Sequence, residues 1–203
     1  MKKNDQMKIL ITGTTGGIGG AVEAAAKADG HDTIPFNRAD FAKLADGTAQ
    51  IPAGLDGIVF ATGCCPVAPV TRTSDELFAE TFRVNCGLFL ALIRHVVKAR
   101  LYSPEGMRII AVSSISAQEG WAGGAAYCAS KGALSALCRA LDAELAPRKI
   151  SVAAIEPRHV KTRMFDECAG RMGVDPATAL PPASIAADIL HMLSAPTEAK
   201  NML

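Results

Sequence analysis

The sequence lacks an excess of charge of either sign. Lys and Arg number 21 against 20 Asp and Glu, a net charge of +1. No basic surface is therefore available to neutralise a run of phosphates, and nucleic acid is excluded as a partner. Long apolar runs are also missing. None reaches the length of about 20 residues that crosses a bilayer, and Met1–Gln6 is polar rather than signal-like. These absences predict a soluble, cytoplasmic chain with no membrane partner and a disordered leader over residues 1–6, with Met7 as a second candidate start. Cysteine occurs at 64, 65, 86, 128, 138 and 168, but never as Cys-x-x-Cys, and His31, His95, His159 and His191 stand apart. No metal is expected. The thiols read as small, reduced core residues, and a redox role at Cys64, Cys65 or Cys128 is the lesser alternative. No repeat, low-complexity tract or linker divides the chain.

What is present is apolar substance. With 49% hydrophobic and 20% charged residues over 203 positions, the chain is too hydrophobic for disorder. It can bury roughly 70% of its unfolded surface. One domain over 1–203 follows. Short apolar runs at 8–11, 57–61, 107–112 and 150–155 read as buried strands. Residues 32–36 make a further strand, and its Pro35 places it at or near a sheet edge. Helices are predicted over 20–29, from the Thr73-Ser74-Asp75-Glu76 capping signal to about Arg100, over 125–146 and over 182–194. Residues 42–54 hold at most one short helix, and 158–182 read as irregular. Strands alternating with helices predict an α/β, doubly wound parallel sheet.

Between the first strand and the first helix lies Thr12-Gly13-Thr14-Thr15-Gly16-Gly17-Ile18-Gly19. A helix start offers free N–H groups and a positive dipole end, and glycines let a pyrophosphate approach the backbone. The letters fit both GxxxGxG and GxxGxxG. At the end of the second strand, Asn37 is uncharged and Arg38 is placed to pair with a 2′-phosphate. NADP(H) is favoured and NAD(H) stays possible, because a shifted turn would bring Asp40 to the ribose.

Tyr127 and Lys131 are four apart on one helix face, and Ser114 follows the strand ending at Val112. A phenol titrates near pH 10, too high for base work at neutrality. A neighbouring ammonium is expected to lower that value, while a serine hydroxyl holds the substrate oxygen.

With these pieces in order, the sequence resembles the short-chain dehydrogenase/reductase family in a shortened form. The likeness runs from about Met7 to Ser194 and rests on Thr12–Gly19, Val84-Asn85-Cys86-Gly87, Ser113-Ser114, Tyr127-Cys128-Ala129-Ser130-Lys131 and Pro157–Thr162. The resemblance implies a single Rossmann-like domain with fewer strands than usual. It implies Tyr127 as acid/base, Ser114 orienting the carbonyl, Lys131 on the nicotinamide ribose and Asn85 holding a water. It further implies cofactor contacts from Gly13, Thr15, Gly17, Ile18, Gly19, Arg38, Gly63, Tyr127, Lys131, Pro157, Val160 and Thr162. The activity implied is NAD(P)(H)-dependent interconversion of a small carbonyl and its alcohol, in a homodimer or homotetramer. A weakly catalytic dinucleotide sensor is the alternative; a sugar-nucleotide epimerase would need a larger substrate domain.

Several positions depart from the family pattern. Ala61-Thr62-Gly63 stands where Asn-Ala-Gly is usual, Arg158 replaces a glycine, and Gly16 occupies a position that is often basic. The helix-strand-helix segment after Asn37 is short, with its strand absent or reduced to 38–41, and a last strand after Ser194 is in question. Met164–Ala179 falls where relatives carry a substrate lid, and Trp121 is placed to line the pocket or a subunit contact.

Overall fold

In the computed structural model, residues 6–195 are described; most of the expected leader and any strand after Ser194 lie outside them. Five strands, β1 (Lys8–Thr12), β2 (Asp32–Phe36), β3 (Gly57–Phe60), β4 (Met107–Val112) and β5 (Ile150–Ile155), form one parallel sheet in the order β2-β1-β3-β4-β5. Pro35 pairs with Ile11 on the outermost strand, where its missing N–H costs no ladder bond on the open side.

Alternate side chains divide the core between two faces. Ile9, Ile11, Val59 and Ile110 pack with α1 (Gly17–Ala28) and α7 (Pro182–Ser194) through Val22, Ala26, Ile185 and Ile189. Leu10, Ile58, Phe60 and Ile109 meet the opposite layer through Phe89, Leu92, Val96 and Leu134. That layer comprises α2 (Arg38–Asp46), α3 (Asp75–Phe82), α4 (Leu88–Lys98) and α5 (Ala125–Leu145). The strands are apolar on both faces because helices cover both.

Four expectations are corrected. α1 begins at Gly17, not Gly20, since the glycines themselves enter the helix. Residues 38–41 are not a strand remnant but the first turn of α2, fixed by a capping box in which Asp40 accepts from the Asn37 N–H at 2.8 Å. The helix opened by Ser74 is interrupted by a π-helical turn, Arg83–Gly87, which separates α3 from α4. Residues 158–182 are not irregular throughout, because α6 (Arg163–Met172) begins at a Thr162 cap. No helix among the described residues is long and apolar enough to cross a membrane.

Candidate active site

The carboxyl ends of the strands open into a cleft of roughly 1280 Å³. Along one part of its wall lie Gly13, Thr15, Gly17, Ile18, Gly19, Arg38 and Gly63. Ser114, Tyr127, Lys131, Pro157, Val160 and Thr162 line the rest. Asn85 alone of the sequence-derived site residues is absent from the wall and fully buried behind it.

The glycine loop is shaped by close approach. Gly13 has φ +69°, and a Cβ at Gly19 would fall 2.3 Å from the Gly13 carbonyl oxygen. A Cβ at Gly17 would fall 2.3 Å from Thr162 Cγ2. The start of α1 carries neither a capping side chain nor an acidic residue in its first turn. Free amides, a positive dipole end and open space thus coincide, which is what a pyrophosphate requires. Asn37 fastens this loop. Its Oδ1 accepts from the Thr14 N–H at 3.1 Å, and its Nδ2 donates to Thr14 Oγ1 at 2.9 Å. Asp40 is drawn into the α2 cap and is not in the cleft wall, whereas Arg38 is.

Ser114, Tyr127 and Lys131 come together because β4 ends beside the first turns of α5. The Ser114 hydroxyl lies close enough to the Tyr127 phenol to favour its ionised form, and Ser114 also caps the short turn after β4 by accepting from the Ser116 N–H at 3.1 Å. Lys131 Nζ lies 5.7 Å from the Tyr127 ring centroid and donates to the Val112 carbonyl at 2.8 Å. Burial pushes the Lys131 amine down to about 8. The expected lowering at Tyr127 is overturned. Desolvation dominates and pushes the phenol above its ordinary value, the nearby Cys65, Cys168 and Cys128 thiols add to the rise, and the Ser114 hydroxyl opposes it.

Asn85 sits in the π-helical turn. Its Oδ1 accepts from the Cys64 N–H at 2.8 Å, and its Nδ2 donates to the Cys64 carbonyl at 3.0 Å and to Ser130 Oγ at 2.8 Å. Its side chain is thus committed to bracing the backbone after β3. Thr12 shares that task, since its Oγ1 accepts from Ala61 N–H at 3.0 Å and Thr62 N–H at 3.2 Å. The threonine supplies bracing at a segment where the usual asparagine is missing. A Cβ at Gly63 would stand 3.2 Å from Asn85 Oδ1 and 3.6 Å from Lys131 Nζ, so a side chain there would crowd both.

Arg158 borders the cleft, where it is largely exposed and pairs with Glu119 at 3.8 Å. Trp121 is not in the cleft wall. Its Nε1 donates to Ser116 Oγ at 3.2 Å, with its ring 6.4 Å from that of Tyr127. Met164, Phe165, Cys168 and Met172 of α6 enter the wall; they fall in the Met164–Ala179 segment expected as a lid, although none was named as a site residue. Their signal was readable, because Thr162 is a cap residue followed by apolar positions 165, 168, 169 and 172 at helical spacing.

A family model described as enoyl-(acyl carrier protein) reductase matches residues 4–182. The 3-oxoacyl-[acyl-carrier-protein] reductase FabG of Rickettsia bellii is 32% identical over 181 residues, spanning 78% of this chain and 74% of its own. The chain belongs to the short-chain dehydrogenase/reductase family. L-xylulose reductase of Bos taurus is 27% identical over 178 residues, 77% of this chain and 73% of that one. A 4-hydroxyisoleucine dehydrogenase complexed with NADH superposes with a TM-score of 0.77 at 22% identity, over 93% of this chain and 91% of its own, and shares the Rossmann-like fold. As a short-chain dehydrogenase/reductase, the protein is an oxidoreductase of the CH–OH/C=O class.

Proposed function

We propose that this short-chain dehydrogenase/reductase interconverts a small carbonyl compound and its alcohol using a nicotinamide dinucleotide, NADP(H) in preference to NAD(H), with Tyr127 as the acid/base. The observation that carries the reading is the convergence of Ser114, Tyr127 and Lys131 on the cleft that the glycine loop also lines. The dinucleotide, when bound, supplies or accepts the hydride. The chain does the rest. The Ser114 hydroxyl steadies negative charge growing on the carbonyl oxygen, and Tyr127 delivers a proton to that oxygen. A phenol held above its ordinary value stays protonated at neutrality, as the reductive direction needs. Lys131, buried and anchored on the Val112 carbonyl, fixes a positive charge beside the phenol.

Arg38 supports the cofactor preference, since it lines the cleft while Asp40 is occupied in the helix cap; a guanidinium suits a 2′-phosphate. Pro157, Val160 and Thr162 line the same cleft, which supports a role for them on the carboxamide side. Phe78 and Leu90, exposed on α3 and α4, support association into a homodimer or homotetramer. Tyr127→Phe tests the assignment. Carbonyl reduction should fall by at least ~100-fold, the contribution of positioned proton transfer, while NADPH binding measured by fluorescence persists. Unchanged turnover would overturn the role.

A further inference from the structure

Two cysteines meet in the cleft wall where the segment after β3 touches α6. The Cys168 thiol donates to the Cys65 carbonyl at 3.4 Å, although the two residues are 103 apart in sequence. The two thiols are near enough for each to disfavour ionisation of the other. Cys168 is 4% exposed and Cys65 is half-buried, so Cys65 is the more accessible of the two. A second tie joins the same two segments, from Arg171 Nη1 to the Val67 carbonyl at 3.1 Å. The acid/base chemistry proposed above uses no thiol, so this pairing is left without a role.

We propose that Cys65 and Cys168 form a dithiol modification site, which a peroxide closes to an intramolecular disulfide that staples α6 to the segment after β3. Hydrogen peroxide oxidises the Cys65 thiol to a sulfenic acid and leaves as one water. The Cys168 sulfur then attacks the Cys65 sulfur, the S–S bond forms, the S–O bond breaks and a second water departs. The two thiols lose two electrons and two protons in all, and the peroxide O–O bond takes them up. The Cys168 sulfur already touches the Cys65 backbone, so closure brings together two residues that are neighbours in the fold. Burial pushes the Cys65 thiol upward, so thiolate is scarce at neutrality and closure is slow, a response to sustained rather than passing oxidation. Because both residues line the cleft that holds Tyr127, fixing α6 there obstructs substrate entry and product release. This last effect rests on the functional reading above; the bond itself does not.

The full chain is treated with hydrogen peroxide, blocked with a thiol reagent and analysed by intact mass and peptide mapping. A Cys65–Cys168 cross-link with loss of two hydrogens is expected. Carbonyl reduction should decline in step with it and return on adding dithiothreitol. Cys168→Ser should form no such cross-link. The disulfide is overturned if the folded protein yields no bond between these residues or if Cys65 joins Cys64 or Cys128 instead, and the obstruction of the cleft is overturned if the cross-linked fraction turns over normally. Should the reduced protein reduce no carbonyl at all, the functional reading fails, while the peptide map still decides the disulfide.

Discussion

Replacing Asn85 by alanine removes three interior hydrogen bonds at once, and the structure indicates what each is worth. Ser130 loses the donor at 2.8 Å but keeps its own bond to the Tyr127 carbonyl at 2.7 Å, so little is lost there. The Cys64 N–H and carbonyl both lose the partner that the side chain supplied. A buried polar group left unpaired costs about 1–3 kcal/mol. Cys64 is half-buried and admits some water, so the two groups together should cost about 3 kcal/mol. In a chain of this size each kcal/mol moves the melting temperature by about 2–4 °C, giving a fall of roughly 6–12 °C. Thermal unfolding followed by circular dichroism measures it. Asn85→Asp refines the test, since a protonated carboxyl can still donate to the Cys64 carbonyl, whereas a carboxylate repels it. That variant should lose stability as pH rises through its carboxyl pKa. A fall below ~2 °C for Asn85→Ala would refute the assignment of Asn85 as the brace of this segment, because even one orphaned group should exceed it.

Further outcomes follow from the same geometry. Lys131 is held down to about 8 against an ordinary 10.5, so between these values the unfolded chain binds the proton and the folded chain does not. Stability therefore rises with pH across that window. Relative to Lys131→Met, the native chain should gain up to ~3 kcal/mol between pH 7 and pH 10 in denaturant melts, and a flat difference would contradict a buried amine. Gly17→Val places branched carbons where a Cβ already lies 2.3 Å from Thr162 Cγ2; dinucleotide affinity by titration calorimetry should fall at least ~10-fold, about 1.4 kcal/mol. Arg38→Leu should weaken NADPH by ~10-fold or more and leave NADH nearly unchanged, in line with loss of one charge-assisted contact. Equal losses for both would reject the 2′-phosphate role.

The parts legible in the sequence were those governed by local chemistry. Pro35 marked an edge strand because the missing donor is a property of the residue itself. Ser74 marked a helix start, where its side chain accepts from the Leu77 N–H at 3.2 Å, and the glycine loop carried its own turn geometry. The parts that escaped depend on distant partners. The π-helical turn at Arg83–Gly87 accompanies an Asn85 bound to Cys64, 21 residues away, and no periodicity within the helix announces that contact. The Tyr127 shift went the wrong way because spacing reveals the ammonium four residues on but not the desolvation of the phenol. Asp40 was weighed as a ribose ligand, yet a three-residue local bond to its own helix cap claimed it.

The twofold attachment of Asn37 to Thr14 has a practical consequence for anyone altering which dinucleotide the protein accepts. An aspartate at this position is the natural way to attract ribose hydroxyls, but it lacks the amide donor, so the threonine hydroxyl would have to turn round and donate to the carboxylate. Selectivity at one turn and rigidity at its neighbour are therefore joined, because any change at 37 also resets how the glycine loop is fastened.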